Sequence, residues 1–251
     1  MFGIEYAVCC HTGKVRGSNQ DNFWCMGRFL ESGNDGLTKP DGGTIQSLSL
    51  PAFAVFDGMG GEQRGEMAAY IAAAFFDLAY KENPKDDIKG FLLDACYRMN
   101  REICAYAKEN KIRAMGATAA IILFGKSDIY ICNLGDSRIY QFSGKDFAQI
   151  SRDHSQVAVA GKKPQLTQCL GIPETEFVIA PYVSKGGYAR GDKYLICSDG
   201  LTDMVSEEKI AAIIAEKNNV LKCGERLLQK ALDSGGGDNI TIILCEIRKQ
   251  R

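Results

Sequence analysis

Apolar residues recur along this chain at two spacings. From Glu62 onward, Met67, Ile71, Ala74, Phe75 and Leu78 return at helical intervals. From Asp86 onward, Ile88, Leu92, Ala95, Met99, Ile103 and Tyr106 do the same, and "KENPKDD" breaks the two predicted helices apart. Two more helices are predicted over 206–216 and 220–232. Elsewhere the apolar runs are short and rich in β-branched residues: "PAFAVFD", "ATAAIILF", "DIYICNLGD", "SRIYQFS", "KYLICSD" and "NITIILCEI". These predict strands apolar on both faces, which requires cover on both sides. The middle three are joined by turns at 125–127 and 135–137, short enough to predict antiparallel neighbours. The stretch 144–177 has no clear period, and its second half reads as loop. Strands in runs and helices in pairs predict an α+β protein, with antiparallel sheets inside and helices outside.

The chain has 251 residues, 45% of them hydrophobic and 24% charged, an ordinary globular balance. A formal net charge of -1 offers nucleic acid and anionic membrane no general attraction. The apolar runs are too short to span a bilayer, and "MFGIEYAVCCHTGKVRG" lacks the pattern of a signal peptide. These features predict a cytoplasmic protein with no membrane or nucleic-acid partner. The ten cysteines include no CxxC pair and mostly sit in apolar runs, so they read as small buried residues in a reducing compartment.

The candidate chemistry lies in aspartates placed beside glycine or another small residue at strand ends. Asp57 ends "FAVFD" before Gly58, Asp199 ends "YLICSD" before Gly200, and Asp136 ends "YICNLGD". Asp238 follows three glycines and opens "NITIILCEI", while Asp21 sits in "RGSNQDNFW". One DGxGG segment could be only a turn. Five such placements point instead to a shared site, because carboxylates gathered together repel unless a cation neutralises them. Oxygen donors alone suit Mg²⁺ or Mn²⁺ rather than zinc. A carboxylate shared by two such ions would leave a water between them acidic near neutral pH. Arg16, five residues before Asp21, is a candidate phosphate clamp, since a guanidinium binds two phosphate oxygens in parallel.

"VRGSNQD", "FAVFDGMGGEQRGEMAA", "GATAAIILF", "NLGDSRIYQF", "SRDHS", "LICSDGL" and "GGGDNITIILCEI" follow one another in an order that resembles the metal-dependent serine/threonine protein phosphatases of type 2C, the PPM family, in its bacterial branch. The resemblance covers nearly the whole chain. It implies one phosphatase domain over 1–251, a β-sandwich of two antiparallel sheets flanked by helix pairs in four αββα layers. It implies two Mn²⁺ or Mg²⁺ ions and a weaker third. Asp57 would bridge the two, the Gly58 carbonyl would add a ligand, and Asp199 and Asp238 would complete the shell. Asp21 would act partly through water, Asp136 with Asp199 would hold the third ion, and Arg16 would bind the substrate phosphate. The implied partners are phosphorylated proteins, among them a serine/threonine kinase and its targets, met by a monomer. Related readings are a phosphatase of sigma-factor regulators and a non-catalytic phosphoprotein-binding module; a complete aspartate set argues against the latter. The chain departs from the family at Gln20, where many relatives have Glu, and at Met59, where eukaryotic members often have His. It also has a short flap-like segment at about 155–172. Of its two histidines, His154 in "SRDHS" reads as bracing a loop, and no spacing ties His11 to a cleft.

Overall fold

The computed structural model describes residues 2–46, 50–60, 64–82, 87–156, 164–216 and 218–249. Strands β1 (Phe2–His11), β2 (Asp21–Cys25), β3 (Asp41–Gln46) and β4 (Ala52–Met59) come first, then helices α1 (Gly65–Lys81) and α2 (Ile88–Glu109). Strands β5 (Gly116–Ala117), β6 (Ala119–Phe124), β7 (Asp128–Leu134), β8 (Arg138–Ser143) and β9 (Asp146–Gln149) follow. The chain continues through β10 (Tyr182–Gly187), β11 (Lys193–Cys197), α3 (Asp199–Thr202), α4 (Glu207–Ala215), α5 (Val220–Asp233) and β12 (Ile240–Lys249). One sheet has the order β3-β1-β12-β11-β8-β9. The other has the order β10-β7-β6-β4-β2, with β5 against β4. The pairings within them are antiparallel.

Side-chain alternation explains the uniformly apolar strands. On β4, Phe53 and Val55 enter the core between the sheets, while Ala52, Ala54 and Phe56 enter the core beneath α1 and α2. On β12, Ile243, Cys245 and Ile247 face the other sheet, and Ile240, Ile242 and Leu244 face α4 and α5. Successive residues thus supply different cores, and a two-sided apolar strand results. The three cores are the three interfaces of a four-layer αββα arrangement, as the α+β reading expects.

Local chemistry sets several element ends. The Asp87 side chain caps α2 by accepting the Gly90 N–H at 2.9 Å, and Asn219 caps α5 by accepting the Lys222 N–H at 2.8 Å. The expected helix starts at Glu62 and Asp86 lie outside the described residues. The turn at Gly135 differs from expectation. It joins no antiparallel neighbours; it carries the chain from β7 in one sheet to β8 in the other. Gly135 has φ of 105°, and a side chain there would press into Thr118. The edge strands β3, β9 and β10 escape the apolar pattern because one face of each meets water or glycine replaces a side chain. The free cysteines are buried or half-buried, in keeping with the sequence reading.

Phe76 fastens α1 to the sheet that carries Asp57. It is fully buried among the rings of Phe56, Trp24, Tyr80 and Phe91. Phe76→Ala is expected to destabilise the protein by about 3–5 kcal/mol. Urea unfolding checks this as a lower midpoint at unchanged slope.

Candidate metal centre

The pairing of β2 with β4 sets Asp21 directly opposite Asp57. Opposed residues project to the same side of a sheet with Cβ atoms roughly 5 Å apart. Two acidic groups are therefore held together by backbone ladder bonds rather than by flexible loops. Asp21 is buried, and Asp57 is half-buried at the floor of a cleft. Burial pushes the Asp21 carboxyl up to about 7, and the charges of Asp199 and Asp238 add to this. Hydrogen bonds from Thr241 and Ser198 act against the rise. Asp57 is pushed well above the carboxylate range, first by loss of water, then by Asp21, Asp199, Asp136 and Asp238. A carboxyl with a raised folded-state value favours the fold most when protonated. Asp21 therefore contributes stability that is lost as pH climbs from 3.8 through about 7.

The backbone of Asp57 is clamped from behind. Its N–H donates to Thr118 Oγ1 at 3.0 Å, and its carbonyl accepts the Thr118 N–H at 2.8 Å. Thr118 Oγ1 also shares a 2.6 Å hydrogen bond with Ser137, next to Asp136. At Gly58 a Cβ would collide with the Gly65 and Gln20 carbonyl oxygens, so only glycine leaves this backbone where it is. Ser198 Oγ donates to Asp21 Oδ2 at 2.7 Å and accepts the Thr241 N–H at 2.9 Å, tying the buried carboxylate to the opposite sheet.

The remaining acids arrive on turns. Asp136 lies on the crossover between the sheets, and Asp238 just precedes β12. Two placements correct the expectation of strand-end aspartates. β4 runs past Asp57 to Met59, and β11 stops at Cys197, so that Asp199 opens α3. Arg16 Nη2 donates to Asp238 Oδ2 at 2.8 Å from the 12–20 segment. That segment is held by Asn239, whose Oδ1 accepts the Gln20 N–H at 2.8 Å. Its Nδ2 donates to the carbonyls of Thr12 and Ser18 at 2.8 and 2.9 Å. A further bond runs from the Lys14 N–H to the Gly236 carbonyl at 2.8 Å.

Arg16, Asp57, Gly58, Asp136, Asp199 and Asp238 line one cleft of about 260 Å³. Asp21 lies beneath it, and Gln20 takes a place in the wall. Neither histidine lines it. His11 and His154 each accept a backbone N–H at Nδ1, from Gly13 at 2.8 Å and from Gly135 at 3.2 Å. Among the described residues, no three His, Cys, Asp or Glu side chains form a ready cage around one point. A hard divalent ion needs none, since it keeps several waters and takes one or two carboxylates. The donors are all oxygen, and their mutual repulsion is what such an ion relieves, so the residues fit Mg²⁺ or Mn²⁺. Thr118, Ser198 and Asn239 complete the site without any sequence signal of their own. Each acts through partners remote in the chain.

Two sandwiched sheets with an acidic, oxygen-lined cleft at the strand ends and sheet crossovers define a protein built to hold divalent cations. The family model described as protein phosphatase 2C matches residues 42–233, and the chain belongs to that family. Serine/threonine phosphatase stp of Listeria welshimeri is 28% identical, over 93% of this chain and 92% of its own. Serine/threonine protein phosphatase PstP of Mycobacterium tuberculosis is 27% identical over 97% of this chain, which spans 45% of that longer protein. The solved catalytic domain of PstP in complex with 2 manganese ions aligns with a TM-score of 0.80 and 26% identity, covering 99% of this chain and 100% of that one. Arg16, Asp21 and Asp238 fall outside the family match, and their place in the site rests on the geometry above.

Asn239→Ala removes three of the bonds that hold the 12–20 segment. Amide hydrogen exchange in residues 12–20 is expected to quicken by about tenfold or more while β1 and β12 keep their protection. Unchanged exchange would show that the segment does not depend on Asn239.

Proposed function

We propose that this chain hydrolyses phosphoserine and phosphothreonine on proteins, as a phosphoric monoester hydrolase acting at a centre of two Mn²⁺ or Mg²⁺ ions. The observation that carries the reading is the gathering of five aspartates and Arg16, from six separate points of the chain, around one cleft. Asp57, the Gly58 carbonyl, Asp199 and Asp238 would hold the two ions. Asp136 with Asp199 would take a weaker third, and Asp21 would act from beneath through water. Bound there, the ions would supply a water acidic enough to lose a proton near neutral pH, and positive charge for the phosphoryl oxygens.

The chain's own residues do the rest. Arg16 is half-exposed, with 52% of its side chain open to solvent, so its guanidinium can meet a phosphate arriving from outside. It gives up Asp238 to do so, which leaves that carboxylate for a cation. Asp57 is fixed by the Thr118 clamp and Asp21 by Ser198, so the donors need little rearrangement, the condition for electrostatic catalysis. The bond broken joins phosphorus to the serine or threonine oxygen and the bond formed joins phosphorus to the water oxygen; the proton that the water gives up balances the one the leaving alcohol takes. Neither His11 nor His154 lines the cleft, so neither stands where it would deliver that proton.

The partners are phosphorylated proteins, including a serine/threonine kinase and its targets, acted on by a monomeric single domain in the cytoplasm. In support, no helix among the described residues is long and apolar enough to cross a membrane, and the net charge is -1.

Hydrolysis of p-nitrophenyl phosphate and of a phosphothreonine peptide is expected to vanish in EDTA and return with Mn²⁺. Asp238→Asn is expected to abolish turnover at any metal concentration. Arg16→Ala is expected to raise KM for the phosphopeptide about tenfold or more. Full activity of the metal-stripped enzyme would refute the metal-centred reading, and an unchanged kcat/KM in Arg16→Ala would remove the clamp.

A further inference from the structure

A second cavity, of about 770 Å³, opens beside the acidic cleft and shares Met59 and Gly60 with it. Its lining is largely apolar, with Met59, Ile112, Met115, Ile172 and Pro173 among the contributors. At its mouth stand exposed charges of both signs: Arg101, Lys108 and Arg113 on the α2 side, Glu174 and Glu176 opposite. Nothing in the hydrolytic site accounts for this cavity.

The frame of the cavity is built rather than incidental. Asn100, with 1% exposure, donates Nδ2 to the Ile172 carbonyl at 2.9 Å. Its Oδ1 accepts the N–H groups of Gly171 and Ile172 at 2.7 and 3.2 Å. Ala117 and Leu170 exchange backbone hydrogen bonds at 3.2 and 2.8 Å. Gly171 has φ of 95°, and a Cβ there would strike the Met115 carbonyl. The 170–172 wall is therefore locked to α2 and β5, and the hollow exists before anything enters it.

Among the described residues the large apolar side chains left in solvent are Val15, Leu78, Phe177 and Val178. Phe177 and Val178 follow directly in the chain on Glu176, a residue of the cavity wall.

We propose that this cavity receives a large apolar side chain of the phosphoprotein substrate, carried within about four residues of the phosphoresidue in the cleft. The proposal rests on the phosphatase reading above. The cleft and the cavity meet at Met59 and Gly60, and an extended chain advances roughly 3.3 Å per residue, so a segment anchored by its phosphate reaches the cavity within that span. The apolar side chain leaves water for a preformed hollow, and the charges at the mouth meet the polar backbone and neighbouring side chains of the same segment. This assigns the enzyme a preference for apolar residues near the target serine or threonine.

The test uses phosphothreonine peptides in a glycine–alanine background, with one phenylalanine walked from four residues before the phosphothreonine to four after it. At one or two positions phenylalanine is expected to raise kcat/KM about tenfold. Ala105→Trp, a change at an exposed α2 position in the cavity wall, fills the hollow. It is expected to erase that increment, leaving the unsubstituted peptide and p-nitrophenyl phosphate within twofold of wild type. A flat response across the positions, or an increment that survives Ala105→Trp, overturns the docking proposal while hydrolysis of p-nitrophenyl phosphate keeps the phosphatase reading standing. If wild type with Mn²⁺ hydrolyses neither substrate, the phosphatase reading falls and the docking proposal falls with it.

Discussion

Asp21, buried, and Asp57, half-buried at the cleft floor, face each other across β2 and β4 within reach of three more aspartates. Left to themselves the pair would separate or hold protons. Separation is denied them, because the sheet register sets their backbone positions and Thr118 and Ser198 hold them from behind, so they hold protons to higher pH than free carboxylates do. This is stored electrostatic tension at a functional site, offset by the packing of three cores around it. A divalent cation converts the same tension into binding energy. The arrangement thus ties affinity for metal to an apparent flaw in the apo fold.

The topology delivers the other groups to this point. The crossover at Gly135 moves the chain between sheets and leaves Asp136 over the cleft. Termination of β11 at Cys197 turns Asp199 inward at the start of α3. Asn239 then binds two distant parts of the chain, so that Arg16 stands beside Asp238. Most of the site is held by β-sheet register and side chain-to-backbone bonds, which are short-range and directional. The docking cavity relies on the same device in Asn100.

Much of this was legible in the chain itself. The strands around Val55, Ile121 and Ile243 and the helices around Phe75 and Met99 announce themselves, because each carries enough apolar residues to feed a core. The glycine-flanked aspartates stand out for a similar reason, since charge beside an apolar run is locally conspicuous. β10, "YVSKGG", was hidden, because an edge strand in solvent needs no apolar face. β1 was hidden by its mixture of Glu5, small residues and cysteines, although it pairs on both sides. The turn at Gly135 looks like a hairpin in sequence, and only the layer arrangement shows it to be a crossover. Thr118, Ser198 and Asn239 carry no local signal, because their roles depend on partners far along the chain.

The most direct test of the central claim is the melting temperature of wild type and Asp57→Asn at neutral pH, each in EDTA and in excess Mn²⁺. If the facing carboxylates form a strained cation site, Asp57→Asn melts higher than wild type in EDTA, because the cost of keeping an ionisable carboxyl among four others is gone. Mn²⁺ then raises the melting point of wild type through preferential binding to the native state, and it leaves that of Asp57→Asn nearly unchanged. A variant that melts lower than wild type in EDTA and still gains the full Mn²⁺ shift would contradict the account.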